Sequence, residues 1–105
     1  MAEPNPIIRR GTTPIHVFTT DIDLSQATAL YITYYQQYRT FEKTIEDCVI
    51  TSNSVTVSLT QDETLLLSSN DMVEVQIRAL FSDGRAVASN IMLADVGKII
   101  KGDKI

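Results

Sequence analysis

Alternation of apolar and polar residues is clearest between Met72 and Phe81. Val73, Val75, Ile77, Ala79 and Phe81 fall on one side, and Glu74, Gln76 and Arg78 on the other, where Met72 and Leu80 are the apolar exceptions. A period of two is the signature of a half-buried strand, and it predicts Val75 and Ile77 in a core. Ser82-Asp83-Gly84-Arg85 follows. Asp-Gly suits the primed two-residue turns that match strand twist, so residues 86–96 are predicted to return as the partner strand. Shorter alternations precede this pair. Ile15 and Val17 alternate with His16 and Phe18, and Leu30, Ile32 and Tyr34 with Tyr31, Thr33 and Tyr35. More weakly, Phe41, Lys43 and Ile45 alternate with Glu42, Thr44 and Glu46, after a turn at 36–39. Residues 48–51 and 55–59 read as a tight hairpin in which Asn53 is the residue best able to take a positive φ. Thr60-Gln61-Asp62-Glu63 has the spacing of a capping box, and Leu65, Leu66 and Leu67 come next, which predicts a short helical turn that drops leucines onto the core. Residues 21–27 form a connection in which Asp23 or Ser25 could cap one turn. Six or seven strands at roughly 8–12-residue spacing, without a long helix, predict a two-sheet antiparallel sandwich.

The two ends stand outside these hairpins. All three prolines, Pro4, Pro6 and Pro14, lie in the first fourteen residues, and proline lacks the N–H that a central strand donates. The expected organisation is an extended arm over 1–13, a β-sandwich over 14–97 and a tail over 98–105. Ile7 and Ile8 followed by Arg9 and Arg10, and Ile99 and Ile100 flanked by Lys98 and Lys101, are apolar segments that would expose hydrophobic area if left alone. Either they pair as first and last strands of the fold, or they reach onto neighbouring subunits. Both readings are open at this point.

Composition supports the β reading. Thr, Ile and Val supply 32 of 105 residues, and β-branched side chains fit a pleated surface better than a helix. The length suits one domain. No apolar run reaches the roughly 20 residues that span a bilayer, and the first residues carry neither the basic nor the apolar stretch of a secretory signal. A net charge of −4 and a pI near 4.7 argue against a nucleic-acid partner, which calls for a basic footprint.

Candidate chemistry is sparse. His16 is the only histidine and Cys48 the only cysteine; no nucleophile motif surrounds either, so no catalytic residue is expected. Asp21 and Asp23 could open a calcium loop, yet the sixth and twelfth positions are Gln26 and Ile32 where an EF-hand needs Gly and Glu. The glycines at 11, 84, 97 and 102 form no phosphate-binding pattern. No metal and no cofactor are expected. Tyr31, Tyr34, Tyr35, Tyr38 and Phe41 cluster in sequence, and tyrosine is enriched in binding surfaces. Tyr34 and Phe41 are assigned to the core, and Tyr31, Tyr35 and Tyr38 to a candidate interface, together with Ile7, Ile8, Arg9, Arg10, Lys98, Ile99, Ile100 and Lys101 at the ends.

A resemblance joins these features. Arg-Gly-Thr-Thr-Pro (10–14), Asp-Leu-Ser-Gln-Ala-Thr-Ala (23–29), Val-Thr-Val-Ser-Leu-Thr-Gln-Asp-Glu-Thr-Leu (55–65), Val-Glu-Val-Gln-Ile-Arg (73–78), Asp-Gly (83–84), Ala-Ser-Asn-Ile (88–91) and the Lys-Ile-Ile-Lys-Gly-Asp tail occur in that order. Over residues 8–105 the chain resembles small immunoglobulin-like proteins of phages and prophages of Gram-positive bacteria, and is similar to the N-terminal domain of their baseplate upper proteins. The resemblance implies an all-β, antiparallel immunoglobulin-like sandwich and a virion part of tail, baseplate or head. It implies no catalysis. The expected partners are other virion proteins and further copies of the chain, with no membrane. The chain ends where receptor-binding or coiled-coil segments would begin in a full baseplate upper protein, which favours assembly over host recognition. The alternative is an adhesive or glycan-binding decoration module exposed on the particle.

Overall fold

The computed structural model describes residues 6–37 and 39–105. Strands β1 (Ile7–Arg9), β2 (Ile15–Thr19), β3 (Ala27–Gln36), β4 (Arg39–Thr44), β5 (Cys48–Ile50) and β6 (Ser54–Ser58) precede one short helix, α1 (Gln61–Leu65). Strands β7 (Val73–Phe81), β8 (Ala86–Ala88) and β9 (Met92–Gly97) follow. The fold is mostly β, as the alternation predicts.

Two sheets form. The larger runs β1-β9-β7-β3-β4, with β8 beside β9 on the same flank of β7, and the smaller runs β2-β6-β5. The expectation of purely antiparallel pairing fails at one place. β1 lies parallel to β9, with Ile7 opposite Asp95, Ile8 opposite Val96 and Arg9 opposite Gly97. Pro6 tolerates this edge because it only accepts, its carbonyl taking the Asp95 N–H at 2.8 Å, and a missing N–H costs nothing there. The inner end of the predicted arm is therefore a strand of the large sheet. Ile8 is its anchor, 1% exposed.

One apolar core lies between the sheets. Leu30, Ile32 and Tyr34 from β3 and Val73, Val75, Ala79 and Phe81 from β7 meet Val55 and Val57 from β6, with Leu24, Leu59 and Leu67 closing the ends. Tyr34 stacks on Phe41 at 4.8 Å between ring centroids, as their core assignment requires. The capping box at α1 forms as read: the Thr60 hydroxyl accepts from the Glu63 N–H at 3.1 Å, and the Glu63 carboxylate accepts from the Thr60 N–H at 2.8 Å.

Four local expectations change. Ile45 does not extend β4; it opens a single 3-10 turn, Ile45–Asp47, which carries the chain from the large sheet to the small one and is capped by the Asp47 carboxylate on the Thr44 N–H at 2.8 Å. Asn53 keeps a negative φ, because the Ser54 carbonyl accepts from the Thr51 N–H and the Thr51 and Ser54 hydroxyls bond across the turn. At Asp83-Gly84 only the glycine is left-handed, φ +91°, and a primed type I turn needs both central residues there. The loop has three residues instead: the Phe81 carbonyl accepts from the Gly84 N–H, and the Phe81 N–H bonds Arg85. Last, residues 86–96 return as two strands. Arg78 pairs with Ala88 but Val75 with Met92, so one residue is extra between them, which is a bulge. Ser89 fills it by accepting the Ile77 N–H on its hydroxyl.

Candidate functional site

Period-two alternation in β3 sends Leu30, Ile32 and Tyr34 inward, which leaves Tyr31, Thr33 and Tyr35 on the outer face of the large sheet. Tyr31 and Tyr35 are 46% and 47% exposed. Tyr31 lies between Thr44 and Arg78, Thr33 between Glu42 and Gln76, and Tyr35 between Thr40 and Glu74. Four residues of strand separate the two rings by about 13 Å. Leu93, beside Glu74, and Ile7, beside Asp95, continue the same face with exposed aliphatic side chains. The result is a mixed aromatic, aliphatic and charged surface. Tyr38 lies outside the described residues.

The structure brings the two chain ends together. The Arg9 guanidinium donates to the Lys98 carbonyl at 2.8 Å, the Arg10 guanidinium to the Leu65 carbonyl at 3.1 Å, and the Arg10 N–H to the Gly97 carbonyl at 3.2 Å. Gly11 turns with φ +71°, and a Cβ there would stand 3.0 Å from the Ile99 side chain, which is half-buried. Ile8 therefore leaves the candidate interface, because its side chain is spent in the core. Arg9 and Arg10 hold backbone carbonyls of their own chain. Lys98, Ile100 and Lys101 remain at the surface, Ile100 fully so, while the last residues fold back on α1 through paired Gln61–Ile105 bonds and a Lys104–Asp62 contact at 3.1 Å.

The polar groups inside bond one another and the backbone. His16 Nδ1 and the Tyr34 hydroxyl bond at 2.7 Å; burial holds the imidazole below its ordinary pKa and pushes the Tyr34 phenol far up. Cys48 donates its thiol to the Thr44 carbonyl, and burial, followed by the Asp47 charge, raises its pKa. That disfavours the reactive thiolate. Asp23, a weighed calcium ligand, instead accepts the Ser25 N–H at 2.9 Å. Among the described residues no group of three or more His, Cys, Asp or Glu side chains could hold a metal.

Three features escape a reading of the sequence. Lys43, 8% exposed, reaches Glu63 at 2.8 and 3.0 Å; its inward position between Phe41 and Ile45 was the available signal. Gln36 is 1% exposed and clamps the loop before β7 through Ser68 and Asp71. Finally, β2 is oriented against hydropathy: His16 and Phe18 face in, while Ile15 and Val17 are 66% and 59% exposed. With Val49 they make an apolar outer face on the small sheet. Beside β2, between the sheets, an apolar cleft of about 390 Å³ opens toward β1 and β9, and a second lies toward β8. Neither includes Tyr31 or Tyr35.

Compared with known proteins, the chain matches no family model, and a comparison with curated proteins likewise finds no match.

Proposed function

We propose that the chain is a structural protein of a phage virion, of immunoglobulin-like fold, acting through contacts with other virion proteins. The strand order supports the immunoglobulin-like part. Taking β1 to β7 as A, B, C, C′, D, E and F, with β8 and β9 together as G, one sheet holds B, E and D and the other G, F, C and C′. This order is like that of immunoglobulin sandwiches, except that A pairs with G rather than with B. The observation that carries the interaction role is the outer face of the large sheet. Two half-exposed tyrosines flank Thr33 on an interior strand, with exposed Leu93 and Ile7 two and three strands away on the same face. Tyrosine gives contact area at low entropic cost, and a sheet face outside both clefts suits a protein neighbour better than a sugar, which needs enclosure.

Particles purified from a producing strain are the test. The chain is expected in the particle fraction at fixed stoichiometry by quantitative mass spectrometry. Tyr31→Ala with Tyr35→Ala should lower its incorporation at least about tenfold, the scale of losing two interface anchors, without changing the melting temperature of the purified protein. Recovery of the wild-type chain only in the particle-free lysate would refute the proposal.

A further inference from the structure

We propose that β2 is a dimerisation edge, at which a second copy of this chain adds its own β2 antiparallel about a two-fold axis through Val17. This does not rest on the virion reading. It starts from the hydrogen-bond parity of the strand. The Pro14 carbonyl accepts from the Leu59 N–H, and the Thr20 N–H donates to Asn53, so the even-numbered residues of β2 point their backbone groups at β6. The N–H and C=O groups of Ile15, Val17 and Thr19 therefore point the other way. Among the described residues they have no partner, since β2 ends the small sheet.

Native edges of this kind are blunted by lysine, proline, bulges or an inward charge. Between Ile15 and Thr19 there is none of these. The thirteen residues of β2, β5 and β6 contain no Asp, Glu, Lys or Arg. This argues for a second copy as the occupant. A two-fold contact sets each side chain against itself or its symmetry-related position, so a charge near the axis meets its own kind. β1 carries Arg9, β4 carries Arg39, Glu42 and Lys43, and β5 is short and follows Glu46 and Asp47. In a chain of net charge −4, β2 is the edge at which two copies meet without that cost. The register is self-consistent as well. Centring on Val17 places Ile15 opposite Thr19 and His16 opposite Phe18, and every outward donor of one copy meets an acceptor of the other. The row Val49–Thr56–Val17 across the small sheet would continue into the same row of the partner.

Sedimentation velocity and amide hydrogen exchange on the full-length chain test this. The wild type is expected to be a dimer in which the Ile15, Val17 and Thr19 amides are protected, with protection lost on dilution. Val17→Lys sets two like charges across the axis, and Val17→Pro removes an N–H that β6 does not use. Each should weaken association at least about 100-fold while circular dichroism stays native, and Ile100→Lys should leave the dimer intact. A wild type that stays monomeric at every soluble concentration overturns the proposal. So does a dimer that both folded variants preserve, or a monomer whose three edge amides are already protected, because its own chain then covers the edge. A dimer that never enters particles upholds the edge and sinks the virion reading; a monomer that does enter them does the reverse.

Discussion

His16 carries more of the interior than its polarity suggests. Its ring sits 6.1 Å from Phe18 and 5.8 Å from Tyr34 between centroids and bonds the Tyr34 hydroxyl, so a polar residue takes an inward position and two aliphatic neighbours are turned out. Alternation reveals the period of β2 but not its sign. The sign follows from Tyr34, whose buried hydroxyl needs a partner. A pH dependence results. Burial lowers the histidine from its ordinary value of 6.5, so below that value the unfolded chain binds a proton that the native state resists. Stability contributed by neutral His16 is complete above pH 6.5 and is lost as pH falls through that value toward the lower folded one. Urea denaturation at about pH 7 and about pH 5 should show the loss, and His16→Gln should flatten it. Asp23, Asp47 and Asp83 are lowered by backbone N–H bonds from Ser25, Thr44 and Arg85. Their contributions vanish only as pH falls through the carboxylate range, below the histidine window. A slope that His16→Gln leaves unchanged would assign the effect elsewhere.

Among the elements, β1 decides how the ends are to be understood. Three residues are too few for periodicity to declare a strand, and the flanking prolines allow either an extended arm or an edge strand. What places it is a single side chain, Ile8, filling the core beside β9. Ile8→Ala should cost about 2–4 kcal/mol, the usual range for truncating a buried isoleucine, read as a lowered urea midpoint. Deleting residues 100–105 removes only exposed groups and should change stability by less than about 1 kcal/mol. An unchanged midpoint for Ile8→Ala would return β1 to the status of a free arm. By contrast, β7, the β3 faces and the capping box were legible in advance, because each is a local pattern whose physics is complete within ten residues. The parallel pairing of β1, the bulge at Ser89 and the Lys43–Glu63 contact depend on partners 20 or more positions away or on register, and no window of sequence contains them. Of the candidate site, Tyr31 and Tyr35 could be read from alternation, while the apolar face of the small sheet could not.

Over the whole molecule charge is segregated. The small sheet has none, whereas the large sheet, the turns and the tail hold the acids and bases. Of four ion pairs among the described residues, Lys43–Glu63 is the shielded one; Asp83–Arg85, Lys101–Asp103 and Asp62–Lys104 are exposed and contribute little. Thermal melts between about 0.01 and 0.3 M salt should therefore shift by less than about 4 °C. A larger drop with salt would show that surface pairs hold the domain together.

The parallel contact of β1 with β9 also orders events during synthesis. Ile8 leaves the ribosome well before the strand that shelters it, which begins only at Met92. Until residues 92–97 emerge, the nascent chain must carry an apolar segment without its sheet partner, and only then can the large sheet close. Closure of the sheet is thus tied to the emergence of β9, and Pro6 borders the waiting segment with a residue that resists pairing with other chains.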